Sequence, residues 1–153
     1  MESPYKSLHA PTSARGATSP SKRCSEAGYP VLVALDESQT VVGYASFGNW
    51  RAFDGYRHTV EHSVNVLKGC QGAGIGKALM AALIERARAI GKHIMVAGIE
   101  ARNVGSIALH KRLGFEEVGL LPEVGTKFGQ WLDLAFLQLK LDSRTDSDGA
   151  KAG

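Results

Sequence analysis

A carboxylate within a β-branched run is the first residue whose setting suggests chemistry. The run from Thr59 to Leu67 predicts a strand, and successive side chains of a strand point to opposite faces. Glu61 therefore shares one face with the small polar residues Thr59, Ser63 and Asn65. A carboxyl group in this setting is suited to act as a partly buried general base, because burial raises its pKa toward neutrality. A solvated strand glutamate without a catalytic role is the alternative.

A glycine-rich turn follows this strand and has the composition of an anion-binding site. Its sequence is Gln71-Gly72-Ala73-Gly74-Ile75-Gly76-Lys77, and a predicted helix begins within it. Backbone N–H groups at a helix N-terminus have no partner inside the helix, and glycine lets a phosphate approach closely. A Walker loop does not fit Gln71 and Ala78, and a dinucleotide fingerprint does not fit Lys77. A tight turn without a ligand is the alternative.

The cysteines carry no predicted chemistry. Cys70 precedes the glycine turn, but the sequence offers no identifiable base to activate its thiol, so a nucleophilic role is not expected. Cys24 and Cys70 together make neither a disulfide framework nor a zinc site. We therefore predict no metal and a reducing, cytoplasmic compartment. The residues near Met1 contain no hydrophobic stretch of the signal-peptide type.

The elements that would position these residues follow a pattern typical of a mixed α/β sheet. Strands are predicted at Val31–Leu35, Val41–Phe47, Thr59–Leu67, His93–Ile99, Phe115–Leu121 and Trp131–Leu141. One helix is predicted from the glycine turn to Gly91 and another from Asn103 to Leu113, stopped by Gly114. The turn Asp36–Gln39 joins the first two strands as a hairpin. The last strand is apolar on both faces and is expected inside the sheet.

The composition is that of one globular domain. The 153 residues are 44% hydrophobic and 22% charged. The longest apolar runs are far shorter than the ~20 residues that span a bilayer, which argues against a membrane protein. The net charge of +3 is too small and too evenly spread to indicate a nucleic-acid partner.

Residues 1–28 differ from the rest of the chain. They contain six Ser and three Pro, with almost no aliphatic side chain. Such a segment cannot bury enough apolar area to offset its ordering entropy, which predicts a disordered leader. The predicted organisation is this leader, a domain over residues 29–142 and a disordered tail over residues 143–153. A targeting peptide is the alternative for the leader, although the amphipathic pattern with Arg is lacking.

Several motifs in order resemble one enzyme superfamily. The pattern Gln71-x-x-Gly74-x-Gly76, with Asn103-x-x-Ser106-x-x-Leu109-His110-x-x-x-Gly114-Phe115, resembles the signature of the GNAT superfamily of acetyl-CoA-dependent N-acetyltransferases. Further segments are similar to its phosphinothricin/methionine sulfoximine N-acetyltransferases, namely Gly43–Ser46, Trp50–Phe53, Thr59–Val64 and Lys127–Leu134. The resemblance covers roughly Tyr29 to Asp142 and implies the GNAT acyl-CoA N-acyltransferase fold.

The resemblance also implies where the two substrates bind. Acetyl-CoA is expected along the backbone of Val64, Asn65 and Val66, with its pyrophosphate on Gly72, Ala73, Gly74, Ile75, Gly76 and Lys77, and with Asn103 as a further contact. The pocket for the acceptor amine is expected at Arg51, Ala52, Phe53, Glu61, His62 and Ser63. Arg51 is suited to a carboxylate or phosphinate, which it would hold through bidentate hydrogen bonds.

The implied reaction is direct attack of the acceptor amine on the thioester, without a covalent acyl-enzyme. Glu61 would remove a proton, directly or through water, because a protonated ammonium has no lone pair for attack. Backbone N–H groups near Asn65 or Val66 would polarise the carbonyl. His110, where many superfamily members carry Tyr, fits a packed histidine as well as a functional one. A homodimer is also implied, and Lys127 and Phe128 are expected in a loop that reaches the site or the dimer partner.

Three departures from the family pattern shape these expectations. The family has a strand and two helices ahead of the position of Tyr29, and residues 1–28 do not resemble them. We therefore expect an N-terminally incomplete fold, which a truncated or misread start of the coding sequence would explain. Asn65 stands where Tyr is usual, and Leu67–Cys70 replaces a polar approach to the glycine turn. A catalytically impaired remnant that only binds acyl-CoA and an acetyltransferase for a different primary amine are the alternatives.

Overall fold

The computed structural model describes residues 8–9, 29–70 and 74–147. Its strands are β1 (Leu8–His9), β2 (Val31–Leu35), β3 (Val41–Asn49), β4 (Thr59–Val66), β5 (Ile94–Glu100), β6 (Glu116–Lys127) and β7 (Gln130–Lys140). Its helices are α1 (Ile75–Ala89) and α2 (Val104–Arg112), with a short 3-10 helix at Asp54–Tyr56. From β2 onward, the predicted order of strands and helices is confirmed. Neither α1 nor α2, the helices of the described residues, is long and apolar enough to cross a membrane.

The chain divides into two units, and the first comprises residues 1–48 and 62–87. In it, β1 pairs antiparallel with β2, and β2 pairs antiparallel with β3. The predicted hairpin turn is closed by Asp36, whose Oδ1 accepts hydrogen bonds from the backbone N–H groups of Ser38 and Thr40 at 2.8 and 2.9 Å. The end of β4 is tied to β3, because the N–H of Leu67 donates to the carbonyl of Val42 at 2.7 Å.

The second unit comprises residues 49–61 and 88–153 and contains a mixed sheet. The first residues of β4 pair in parallel with β5, from Thr59–Ile94 to Glu61–Val96. β7 pairs antiparallel with both β5 and β6, so it lies between them. The prediction that the last strand is internal is thus confirmed. Its second half is anchored by the buried residues Ala135, Leu137 and Leu139.

The structure corrects the predicted end of β6. The prediction that this strand stops at Leu121 is wrong, because the strand continues to Lys127. Its register with β7 shifts between Leu121 and Gly125, which lets pairing resume after Pro122. Lys127 is therefore the last residue of the strand and not part of a loop. Phe128 and Gly129 form the hairpin turn with φ of 49° and 73°, as a type I′ connection requires.

The predicted leader and tail lie mostly outside the described residues. Leu8 and His9 are an exception, since they pair with Ala34 and Val33 of β2. Within the predicted tail, Arg144 is held by two contacts of its guanidinium. Its Nη2 donates to the carbonyl of Gly91 at 2.8 Å, and its Nε lies 2.7 Å from a carboxylate oxygen of Asp142.

Candidate active site

Glu61 sits where β4 pairs with β5, opposite Val96. Partial burial raises the pKa of the Glu61 carboxyl above its ordinary value, and the positive charge of Arg51 acts weakly in the opposite direction. The side chain is more exposed than expected for a buried base. The raised pKa nevertheless brings this carboxyl closer to the range in which a general base works at neutral pH.

The loop that carries Arg51 is fixed to the strand that carries Glu61. The N–H of Trp50 donates to the carbonyl of Thr59 at 3.2 Å. Arg51 stacks on the Trp50 ring, with its guanidinium carbon 4.4 Å from a ring centroid. The second unit therefore brings two predicted site residues close enough for the charge of Arg51 to act on Glu61. Ala52 and Phe53 follow at the surface of this loop.

In the first unit, the end of β4 and the start of α1 both pack against Gly43 of β3. A Cβ atom added at Gly43 would lie 3.1 Å from each of three atoms: the carbonyl oxygen of Asn65, Cγ2 of Ile75 and Cδ1 of Leu79. The absence of a side chain at Gly43 lets residue 65 and the side chains of α1 approach β3 this closely. The backbone of residues 64–66 therefore lies next to the first turn of α1. The predicted cofactor residues Val64, Asn65 and Val66 are thus brought together with Ile75.

The start of α1 fits a diphosphate group. Gly74 has a φ of 81° and open space around the position of an added Cβ. The first turn of α1 contains the exposed Lys77 and no acidic residue, so it presents N–H groups and a positive charge without a repelling carboxylate. Gly76 is the second residue of the helix. Gly72 and Ala73, also predicted to bind the cofactor, lie outside the described residues.

Asn103 begins α2, as predicted. Its side-chain oxygen accepts a hydrogen bond from the N–H of Ser106 at 3.1 Å, which is the arrangement of a helix N-cap. This contact gives Asn103 a structural role, and its contact with acetyl-CoA stays a prediction. His62 and Ser63 lie in β4 and are partly exposed.

The surroundings of His110 are those of a packed side chain. The residue is 4% exposed, and its Nδ1 lies 2.7 Å from the carbonyl oxygen of Ser106. Its ring meets that of Phe115 edge to face, with centroids 5.0 Å apart. Burial lowers the pKa of His110, so the ring is neutral at physiological pH. Packing therefore accounts for this residue without a catalytic role.

Three aromatic residues of the second unit, Trp50, Phe53 and Trp131, differ clearly in burial. Phe53 and Trp131 are 75% and 69% exposed and do not fill the core, whereas Trp50 is half-buried. The stack of Arg51 on Trp50 was not predicted, because adjacency in sequence does not show which way two neighbouring side chains turn. Cys70 is a free, partly exposed thiol. Within residues 29–70 and 74–147, no group of three or more His, Cys, Asp and Glu could hold a metal ion.

Comparison with known proteins gives a consistent result. The model of the acetyltransferase (GNAT) family matches residues 3–115, a span that begins within the predicted leader. The L-amino acid N-acyltransferase MnaT of Escherichia coli is 60% identical over 122 residues, which are 80% of this chain and 70% of that protein. The L-methionine sulfoximine/L-methionine sulfone acetyltransferase of Pseudomonas paraeruginosa is 61% identical over 75% of this chain and 67% of that protein.

A more distant relative and a solved structure agree with these matches. The phosphinothricin N-acetyltransferase of Streptomyces coelicolor is 42% identical over 74% of this chain and 67% of that protein. The structure of yncA from Salmonella typhimurium with its cofactor acetyl-CoA superposes with a TM-score of 0.79 at 53% identity, covering 84% of this chain and 74% of that one. The chain therefore belongs to the acetyltransferase (GNAT) family, whose members take their acetyl group from acetyl-CoA.

Proposed function

We propose that this protein moves the acetyl group of acetyl-CoA to the amino group of a small amino-acid-like acceptor, such as methionine sulfoximine or phosphinothricin. The observation that carries the proposal is that Glu61, a carboxyl with a raised pKa, lies close enough to Arg51 for the guanidinium charge to act on it. A base and an anion-binding group that act on each other electrostatically match an acceptor that has both an amine and an acid group. The names of the relatives support the same substrate class.

In the proposed reaction, Glu61 takes a proton from the acceptor ammonium, directly or through one water. The nitrogen lone pair then forms a bond to the thioester carbon and the carbon–sulfur bond breaks. The second proton that the nitrogen loses passes to the departing CoA thiolate, which leaves as the thiol. Arg51 holds the acid group of the acceptor, and Ala52, Phe53, His62 and Ser63 line its pocket. N–H groups near Asn65 or Val66 stabilise the negative charge that develops on the carbonyl oxygen.

The proposed place of acetyl-CoA follows from the close packing around Gly43. The backbone of Val64, Asn65 and Val66 would accompany the pantetheine chain. Residues 72–77 would hold the pyrophosphate, because the start of α1 combines open backbone at Gly74 with the charge of Lys77. The amide of Asn103 would add a contact.

Acetyl-CoA turnover with defined acceptors tests the proposal. Thiol release is measured with methionine sulfoximine, phosphinothricin and simple primary amines, for the wild type, Glu61→Gln and the control Glu116→Gln, an exposed glutamate of β6. Acceptor-dependent release that falls ~10²-fold or more only in Glu61→Gln supports Glu61 as the base. Release with simple amines alone indicates a different acceptor. Binding of acetyl-CoA without turnover indicates an impaired remnant, and no binding overturns the proposal.

We also propose a homodimer that forms through the β6–β7 hairpin. The hairpin exposes a group of large apolar side chains, among them Phe128 at 92% and Trp131 at 69%, together with Val118, Leu120 and Val124. An apolar surface of this kind on an edge strand is typical of a protein interface. Sedimentation velocity should show a dimer for the wild type and a monomer for Phe128→Ser/Trp131→Ser. Phe53→Ser, which changes an equally exposed residue of another loop, should stay dimeric.

The cytoplasm is the proposed compartment, since Cys70 is a free thiol that is partly exposed. Fractionation of the producing cells, followed by detection of the protein, tests this.

A further inference from the structure

Trp50 contacts one predicted site residue, Arg51, and two strands, β4 and β7. Its ring carries the stacked guanidinium of Arg51 at 4.4 Å. Its other neighbour is Phe136 of β7, which meets it edge to face with centroids 5.5 Å apart and the ring planes at 90°. Its backbone N–H is bonded to Thr59, two residues before Glu61 in β4. The position of the Trp50 ring is therefore set by elements that also carry the site.

We propose that Trp50 is a positioning residue for acceptor binding: its ring holds the guanidinium of Arg51 in place for the acid group of the acceptor. This inference rests on the proposed function, because it assigns Arg51 to acceptor recognition.

The geometry of a stacked guanidinium explains why Trp is suited to this task. A tryptophan ring attracts a cation over its face, and this attraction is stronger for Trp than for Phe or Tyr. Stacking occupies one face of the planar guanidinium, while the N–H groups that bind carboxylates bidentately point outward in the plane. Arg51 is exposed, so without the ring its long side chain would sample many rotamers. The stack thus removes an entropy cost that acceptor binding would otherwise bear.

The stack also affects Glu61, because Arg51 is the charged group that acts on it. The positive charge of Arg51 lowers the pKa of Glu61 against the larger effect of burial. Val96, opposite Glu61 on β5, carries no charge. A displaced Arg51 would leave the effect of burial uncompensated. Loss of the Trp50 ring should therefore raise the pKa of Glu61 even without a bound acceptor.

A double-mutant cycle on the full chain tests the proposal in catalysis. Trp50→Leu should raise the KM of an amino-acid acceptor about 2- to 30-fold, the range expected for loss of a cation–π contact, with Trp50→Phe in between. The KM of acetyl-CoA and that of the same acceptor without its acid group should change less than about twofold. In the Arg51→Ala background, Trp50→Leu should add almost nothing, because the group that it positions is gone. Equal effects of Trp50→Leu in both backgrounds would overturn the proposal.

A second readout separates this proposal from the proposed function. The pKa of Glu61 is measured by NMR on carboxyl-labelled protein without substrates, in the wild type, Arg51→Ala, Trp50→Leu and Trp50→Phe. Both Arg51→Ala and Trp50→Leu should raise the pKa of Glu61, and Trp50→Phe should raise it less. If Arg51→Ala raises it and Trp50→Leu does not, the positioning role is wrong, whether or not the wild type acetylates an amino acid. Thermal melting identifies a variant that fails to fold, in which case Trp50→Phe decides.

Discussion

At the residue scale, the Glu61 carboxylate is predicted to lower the stability of the fold at neutral pH. Its pKa is higher in the folded protein than in a free peptide, mainly through burial. The folded state therefore holds the proton more tightly than the unfolded state does. Stability is greatest below the unfolded pKa of about 4.3 and decreases as the pH rises through the higher folded pKa.

Glu61→Gln should accordingly raise the melting temperature at pH 7, because the neutral amide avoids the desolvation of a carboxylate. The gain should disappear below about pH 4, where the wild-type carboxyl is itself neutral. Thermal melts from pH 3 to 8 measure this, with Glu116→Gln on the edge strand β6 as the control. A melting temperature of Glu61→Gln at or below that of the wild type at pH 7 would contradict the prediction.

The contribution of His110 to stability depends on pH in the opposite direction to that of Glu61. Burial lowers the pKa of its ring in the folded protein, so the unfolded state takes up a proton first as the pH falls. Its contribution to stability is complete above about pH 6.5 and is lost as the pH falls toward the folded pKa.

His110→Phe should cost about 1 kcal/mol at pH 7.5, through loss of the bond to the Ser106 carbonyl, and should reduce the decline in stability between pH 7 and 5. Urea unfolding at several pH values measures both effects. If His110 only packs, kcat stays within about threefold of the wild type. A fall in kcat of ~10²-fold in a variant that is still folded would instead assign His110 to the reaction.

Single residues also show how much of the candidate site could be predicted from the sequence. The strand period placed Glu61 among small polar residues, and the glycine turn indicated an anion-binding helix start, because both features depend on local spacing. That Arg51 and Glu61 belong to one acceptor pocket was implied only by the family resemblance. The stack on Trp50 was not foreseen, since it depends on side-chain rotamers, and the ring of Trp50 packs against Phe136 from a distant part of the chain.

At the element scale, the packing of β3 against β4 and α1 depends on Gly43. A methyl group at this position would press on the Asn65 carbonyl oxygen and on two side chains of α1 at 3.1 Å. Such overpacking typically costs about 1–3 kcal/mol when backbone has to move. Because the affected backbone belongs to residues 64–66 and to the start of α1, the disturbance falls on the proposed acetyl-CoA site.

Gly43→Ala should therefore lower the melting temperature and raise the Kd of acetyl-CoA by about tenfold. Isothermal titration with acetyl-CoA and thermal melting measure the two effects. Gly119→Ala is the matched control, because an added Cβ there meets nothing within 4 Å. Equal acetyl-CoA affinity in Gly43→Ala and the wild type would show that this packing does not support the cofactor site.

The course of β6 shows why the limits of elements are harder to predict than their order. Pro122 follows the predicted end of this strand and has no N–H to contribute to a strand ladder. In the structure the strand continues past Pro122 through a bulge, in which Glu123 has a φ of 59°. The carboxylate of Asp133 on β7 accepts the N–H of Glu123 at 2.9 Å. This compensation comes from another strand and leaves no local signal in the sequence.

At the scale of the whole molecule, hydrophobic periodicity was sufficient for the order of elements and the mixed sheet, since each strand and helix carries its own pattern. The pairing of Leu8 and His9 with β2 was not foreseen, because the segment around them lacks the apolar pattern of a strand. Contacts that follow the last strand were likewise not predicted. They centre on Asp142, which lies between the end of β7 and Arg144.

Asp142 connects the chain after β7 to the residues before β5. One of its carboxylate oxygens lies 2.6 Å from Nδ1 of His93, and the other lies 2.7 Å from Nε of Arg144. The backbone reinforces this connection, because the N–H of Leu141 donates to the carbonyl of His93 at 2.7 Å. The hydrogen bond from His93 is the main reason why the pKa of Asp142 lies below its ordinary value, and Arg144 adds to it.

A lowered folded pKa means that the unfolded state takes up the proton first on acidification. The contribution of Asp142 is therefore fully present above its unfolded pKa of about 3.9 and is lost as the pH falls through the folded pKa. Asp142→Asn should melt at a lower temperature than the wild type at pH 6, and the difference should shrink as the pH falls below about 4. Asp146→Asn, at an exposed position nearby, should match the wild type throughout. A difference between Asp142→Asn and the wild type that stays constant from pH 6 to 3 would mean that the charge of Asp142 does not anchor this end of the chain.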